Sequence, residues 1–354
     1  MKIETFEIIP RDVLFLRDAR PMTAEDVGNG ANWPRPDQLN AALHHAYRQE
    51  EPHHYGGLKT FGLFPRKGAE LFLPCPLDYG MKIVPCEGTN LPAPLTHVFI
   101  HPRQKGKVTL PQWIPLTAYV NYLKGAEGND PPPTCPLYAA DRNIGITIDV
   151  ETGKAADKKI YQAEYLRLCE DVTMVFQAEY KDDAHADRFA DALDRLVETH
   201  TFIFGGQQGI ASLRKAKTAL DIAGVQPKID SRYLRVTLIT PALFAHGWLP
   251  GWCKDTQGNA PLGTVMFRDY SFAKLIAARV GKPLAFSGWD HQKNLPRPTA
   301  LAVPAGSSYV FDCGSVEDAR QLAQRFTYPK NLSDLCGEQG FGLGICSSVQ
   351  LVNL

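Results

Sequence analysis

Ala302-Val303-Pro304-Ala305-Gly306-Ser307-Ser308-Tyr309-Val310-Phe311, Ser315-Val316-Glu317-Asp318 and Gly340-Phe341-Gly342-Leu343-Gly344 stand in that order near the end of the chain. Ser287-Gly288-Trp289-Asp290 precedes them, and Ser347-Ser348-Val349-Gln350-Leu351-Val352 follows. The first piece ends in a β-branched and aromatic run after a Pro/Gly turn, which predicts a strand entered through a loop. Ser315 with an acid three residues on is a helix-start signal. Val316, Ala319, Leu322, Ala323 and Phe326 then recur at helical spacing. A glycine run and a closing strand complete the order strand, helix, glycine loop, strand. That is the second half of a ferredoxin-like βαββαβ layer.

In the glycine run, Gly340, Gly342 and Gly344 alternate with Phe341 and Leu343, so one side has almost no side-chain bulk. Such spacing marks close backbone approach. Two readings stay open here: a phosphate backbone lying on bare N–H groups, or a tight turn with a bulge. The run Gln339 to Leu343 looks like the RNP1 box of RNA-recognition domains, but it lacks the leading basic residue and lies on the last strand. Phe341 is therefore expected in the core.

At 354 residues the chain is long enough for two domains, each with its own core. Of its 27 prolines, 14 fall between Pro52 and Pro136, which predicts loops and short irregular strands there. No apolar run reaches membrane-spanning length and no signal peptide opens the chain, so a cytoplasmic protein without a membrane partner is expected. Eight cysteines without a Cys-x-x-Cys pair read as free thiols. His44, His45, His53 and His54 cluster, but no carboxylate or thiol stands beside them at ligand spacing, so no metal and no cofactor is expected. The formal net charge is zero, yet it is segregated. Glu164 to His200 holds ten acids against four bases, whereas 203–235 and 268–297 each hold six bases against two acids. That suits an acidic face for protein and a basic face for nucleic acid, although solvated helix faces give similar runs.

From the N-terminus, Ile3 to Leu16 reads as a first strand buried on both faces. Arg17 and Arg20 flank the turn after it, and Pro34-Arg35-Pro36-Asp37 starts a helix with Leu39, Leu43, Ala46 and Tyr47 as its apolar stripe. Arginines between strand and helix suit a phosphate; pairing with Asp18 and Asp37 is the other reading. A Pro-rich insertion of about 52–160 follows, ending in a hairpin with Thr152-Gly153 at its tip. Val172 to Tyr180 reads as a strand, Ala186 to Glu198 as a helix and His200 to Phe204 as a strand. Gly205-Gly206-Gln207-Gln208-Gly209 comes next, a second glycine loop after a helix and a strand, as in the C-terminal half. The expected architecture is α+β: two tandem ferredoxin-like (RRM-like) domains, 1–223 and 228–354, with the insertion in the first.

Val13-Leu14-Phe15-Leu16-Arg17-Asp18-Ala19-Arg20-Pro21, the segment Ile144 to Leu168, the double glycine at 205–206, and above all Ser287 to Asp290 followed by Pro296-Arg297-Pro298 and Ala302 to Phe311 resemble a known family. It is the third subunit of the type III-B CRISPR effector, the Cmr complex, in the repeat-associated mysterious protein (RAMP) superfamily. The resemblance runs over the whole chain. It implies a non-catalytic scaffold that holds the 5′ handle of the CRISPR RNA, between the large Palm-domain subunit and the backbone RAMP subunits. Gly205, Gly206, Gln207, Gln208, Gly340, Phe341, Gly342 and Gly344 match its RNA-facing loops. Relatives often carry charged residues where this chain has Gln207 and Gln208, so Arg214 and Lys215 are nominated to supply phosphate contacts. Arg17, Arg20, Arg35, Arg268, Ser287, Trp289, Lys293 and Arg297 complete the expected RNA face.

A metal-independent CRISPR RNA-processing endoribonuclease of the same superfamily is the alternative. It would need a histidine with Lys or Tyr near the scissile 2′-OH. His200, His246 and His291 are available, with His291 near Lys293 the best placed, but no catalytic pattern joins them. Gly281-Lys282-Pro283 lacks the upstream glycine and the Ser/Thr of a P-loop, which removes a nucleotide-binding enzyme.

Overall fold

A computed structural model describes residues 2–17, 27–48, 58–86, 91–102, 109–126, 128, 130, 132–148, 155–180, 186–199, 201–253, 262–265, 273–287, 289–290, 295–296 and 298–352. The fold is mixed α and β, mostly antiparallel sheet with few helices. Two compact units interleave along the chain. The first holds Met1–Ala69, Pro136–Leu220 and Ala285–Ala300; the second holds Glu70–Cys135, Asp221–Leu284 and Leu301–Leu354.

In the first unit the strands lie in the order Phe202–Ile203, Ile210–Lys215, Lys2–Pro10, Val172–Tyr180, Leu58–Lys67, each antiparallel to its neighbour. Alternation along Lys2–Pro10 sets what each face meets. Phe6 and Ile8 join Leu39 and Leu43 of the helix Pro36–Arg48, and Leu193 of the helix Ala186–Thr199, in one core. Glu7 points the other way. It is 6% exposed, and takes Arg66 Nη1 at 3.0 Å and Arg214 Nε at 2.7 Å, the pairing a buried carboxylate requires. The stretch just after Lys215 covers this face: Gln177 Nε2 donates to Leu220 O at 2.8 Å, and Leu220 N–H to Thr5 Oγ1 at 3.2 Å. Tyr138–Ile148 and Ala155–Leu168 form the expected long hairpin, with Val27–Gly30 parallel to the second strand. Its tip at Thr152-Gly153 lies outside the described residues.

In the second unit the order is Lys274–Arg279, Ser308–Asp312, Tyr233–Leu238, Gly344–Ser348, again antiparallel throughout. Leu234, Val236, Tyr309, Phe311 and Cys346 face the helix Val316–Phe326 and share its core. Ser315 Oγ caps that helix by accepting from Asp318 N–H at 3.1 Å, as the sequence signal required. The opposite face is covered by residues of 70–135. Arg235 is pinned there by Asp78 Oδ2 at 3.3 Å, Tyr122 O at 2.8 Å and Ser347 Oγ at 3.1 Å, with its guanidinium 3.8 Å from the Tyr122 ring centroid. Each guanidinium nitrogen that this burial strips of water regains a partner.

Three expectations change in detail. Leu58–Lys67, inside the expected 52–160 insertion, is a strand of the first unit's sheet, while 70–135 groups with the second unit. The first strand ends at Pro10 rather than Leu16, where the prolyl nitrogen has no N–H to carry the ladder on. The closing strand begins inside the glycine run, with Gly344 opposite Leu238. Among the described residues no helix is long and apolar enough to cross a membrane.

Candidate nucleic-acid interface

The loop between Phe202–Ile203 and Ile210–Lys215 is built by its glycines. Phe204 N–H donates to Gly209 O at 2.7 Å, and Gly209 N–H donates to Gly206 O at 3.2 Å, closing a four-residue turn. Its two central residues, Gln207 at φ 54° and Gln208 at φ 55°, are both left-handed, which makes it a type I′ turn. For a residue with a side chain that conformation costs about 1–2 kcal/mol. Gly206, Gln207 and Gln208 are exposed. Among the described residues nothing accepts the N–H of Gln207 or Gln208 at the tip, or of Gly205 just before it.

Phe15 anchors this turn. Gly206 N–H donates to Phe15 O at 2.8 Å, while on either side Leu14 N–H reaches Leu166 O and Leu16 N–H reaches Gly30 O, each at 2.9 Å. The Phe15 and Tyr165 ring centroids are 5.3 Å apart, and Tyr165 OH donates to Gln207 Oε1. A Cβ at Gly30 would lie 2.3 Å from the Phe15 ring, which is why glycine stands there. Arg17 is exposed just beyond, its carbonyl accepting from Gln38 Nε2 at 3.5 Å. Gln38 also reaches back to the N–H of Arg35 at 2.9 Å, the second half of a capping box, with Pro36 at the first helical position. One neighbourhood of the first unit thus holds Arg17, Arg35, Tyr165 and the turn.

Arg35 takes the pairing reading: its Nε lies 3.0 Å from Asp37 Oδ1, and its guanidinium sits over the Phe286 ring at 5.4 Å. Arg214 is held by Glu7 at 2.7 Å, and Lys215 by Asp194 at 2.8 Å and Glu4 at 3.5 Å. The hydrogen bond to Asp194, ahead of the nearby carboxylate charges, raises the Lys215 ammonium above its usual pKa. Both cations are thus paired with carboxylates of the first unit, Arg214 within the sheet and Lys215 between the sheet and the helix Ala186–Thr199.

The loop Gly340–Gly344 is of another kind. All five residues are buried, and Phe341 is 0% exposed, in the core position expected of it. Gly340 N–H donates to Gly337 O at 3.0 Å, Gly342 N–H to Pro241 O at 2.7 Å, and Leu343 N–H to Thr240 Oγ1 at 2.9 Å. Gly342 sits at φ 72°, where an added Cβ would lie 2.4 Å from Ser333 N. Of the two readings left open for this run, the tight turn is what the backbone adopts.

The family model for CRISPR-associated protein (Cas_Cmr3) matches residues 6–346. The chain belongs to the Cas_Cmr3 family. It is thereby a RAMP-type subunit of the type III-B Cmr effector. A chain of the cryo-EM structure of Type III-B Cmr-beta bound to cognate target RNA and AMPPnP is similar over 87% of this chain and 86% of that one, at 16% identity and a TM-score of 0.50. That likeness shows the fold. A chain of the Csm3-Csm4 subcomplex of the type III-A CRISPR-Cas interference complex matches 86% of this chain and 92% of its own length, at 10% identity and a TM-score of 0.45. No curated protein sequence matches.

Of the other residues expected at the RNA face of this Cas_Cmr3 chain, Arg20, Arg268, Lys293 and Arg297 lie outside the described residues. Ser287 is half-buried directly after Phe286; the backbone of Trp289 pairs with Pro296, and its side chain lies outside the description. His246 is on an exposed turn, while His200, His291, His53 and His54 are likewise outside it. Tyr165 and Arg11 escaped the sequence reading. Tyr165 is one aromatic in a long segment, brought to Phe15 and Gln207 only by the fold, and Arg11 falls inside what reads as a continuous first strand from Ile3 to Leu16.

Proposed function

We propose that this chain is a non-catalytic scaffold that holds the unpaired 5′ handle of a CRISPR RNA and bridges the large Palm-domain subunit to the backbone RAMP subunits. Both units are read as ferredoxin-like: each sheet runs fourth, first, third, second in the order of its four main strands, and in the first unit both crossovers are helices. The observation that carries the RNA reading is the Gly206–Gly209 turn. It keeps two non-glycine residues in left-handed backbone at an exposed tip, with their N–H groups and that of Gly205 just before them given no acceptor among the described residues, and strain of that kind motivates a functional reading. Backbone donors in such a turn suit phosphate oxygens and carry no base preference. Family membership supplies the RNA-guided setting.

The test is amide hydrogen exchange on the full chain, with and without a single-stranded 5′-handle RNA. The amides of 205, 207 and 208 are expected to exchange fast alone and to be protected by RNA, with the RNA recovered uncut. Unchanged exchange at those amides in an RNA-saturated sample rejects the turn as a contact; site-specific cleavage without metal rejects the scaffold role. Arg214→Ala with Lys215→Ala is expected to leave the salt slope of binding nearly unchanged, because each phosphate that a cation stops neutralising would flatten it by about 0.7 log–log units.

A further inference from the structure

Beside the turn, one row of residues on the helix-free face of the first unit's sheet has no assigned role. Register fixes the row. Ile203 pairs with Ile210 across the two edge strands, and Pro10 pairs with Ala211, so that the next N–H along, Arg11, donates to Ile210 O at 2.9 Å. Ile203, Ile210 and Arg11 therefore lie side by side across three adjacent lengths of chain.

The facing is fixed as well. The neighbouring pair, Phe202 at 6% exposure and Ala211 at 0%, belongs to the core on the helix side. Alternation turns Ile203 and Ile210 to the opposite face, where each is 40% exposed. Arg11 is exposed, and among the described residues its guanidinium has no partner. Arg214, on the same face, is committed to Glu7, and Asp12 is taken by Arg167 at 3.0 Å. Arg11 is thus the cation left available next to the isoleucine pair.

A single exposed isoleucine needs no explanation. A cross-strand pair of them, with Arg11 next along the row and the N–H groups of Gln207 and Gln208 in the adjoining turn given no acceptor among the described residues, is a mixed apolar and cationic step. It is too small to be a whole protein interface, which needs roughly 800 Å² per partner. Its size and chemistry suit one unpaired nucleotide: a flat apolar base face for the isoleucines, and a phosphate for the planar fork of arginine. We infer that Ile203, Ile210 and Arg11 form a subsite for one unpaired nucleotide of the bound RNA, its base on the isoleucine pair and its phosphate on Arg11. The subsite rests on the reading of the Gly206–Gly209 turn as an RNA contact. To a grip made of main chain it adds a contact that depends on a base being present.

The experiment uses the full chain and a fluorescein-labelled 5′-handle RNA, carried through a series in which each nucleotide in turn is made abasic. One abasic position is expected to weaken wild-type binding about fivefold, the low end for a stacked base. Ile203→Ser with Ile210→Ser should weaken the intact RNA by about the same factor, leave the salt slope unchanged and abolish the effect of that abasic position. Arg11→Gln should flatten the slope by about 0.7 log–log units. Melting curves check that the surface variants fold. If the isoleucine variant folds, binds intact RNA as tightly as wild type and keeps its abasic sensitivity, the subsite is wrong even though the amides of 205, 207 and 208 are protected. If that variant instead loses a neighbouring subunit in co-purification with RNA affinity intact, the row belongs to a protein contact. If RNA leaves those amides unprotected in the wild type, the reading beneath the subsite fails first.

Discussion

The loops at Gly205–Gly209 and Gly340–Gly344 each follow a helix of their unit and lead into the last strand of its sheet, yet they use glycine for opposite ends. At 205–209 the glycines let the chain pass close over Phe15, with Gly205 at φ 91°, and the non-glycine residues Gln207 and Gln208 also take left-handed positions and stay exposed. At 340–344 the glycines take the left-handed positions themselves, so that Phe341 and Leu343 can both be driven inside. What decides whether main-chain N–H groups are offered to a ligand is therefore the neighbouring side chains. Two buried hydrophobic anchors pull the second loop's donors onto Pro241, Thr240 and Gly337; the two exposed glutamines of the first loop have no acceptor for their N–H groups among the described residues.

Gly342→Val should separate the loops most sharply. It combines a β-branched residue at positive φ with a Cβ 2.4 Å from backbone, and the strain and overpacking together cost about 3 kcal/mol or more. The expected result is a chain that fails to fold or melts far lower. A variant that folds normally but no longer binds RNA would return this loop to the RNA face.

Thr240→Val comes next. The Thr240 hydroxyl donates to Gly340 O at 2.8 Å and accepts from Leu343 N–H, so its removal leaves buried groups unpaired at a cost of about 1–3 kcal/mol. Denaturant midpoints should fall accordingly with RNA affinity unchanged; a neutral substitution would mean that the loop is not held as described.

Gln208→Gly has the smallest effect and the opposite sign. It relieves about 1–2 kcal/mol of left-handed strain and adds about 0.5–1 kcal/mol of chain entropy that folding must remove. The urea midpoint should rise slightly, and RNA binding should persist because the N–H remains. A marked drop in affinity would transfer the contact from the main chain to the glutamine side chain.

Local signals in the sequence were enough for individual elements. Ser315 with Asp318 announced the helix Val316–Phe326, Pro36 sits at the first position of its helix, and the β-branched run at 172–180 is a strand over that same span. These rest on capping, on fixed φ and on periodicity within one segment, which need no knowledge of partners. The family resemblance was carried in the same way, by residues written in order along the chain. Where each element docks was another matter. Leu58–Lys67 and 70–135 read as one proline-rich insertion, although the first is a strand of the first unit's sheet and the second buries Arg235 against Asp78 in the second unit.

The two glycine loops mark the same limit at the candidate site. Their spacing announced close backbone approach, and both do approach something closely. The sequence alone determined that these turns exist. Only tertiary packing decided which N–H groups are taken up inside the protein, because a donor's partner is chosen by chain segments far away in sequence: Pro241 and Thr240 for Gly342 and Leu343 of the second loop, Phe15 for Gly206 of the first.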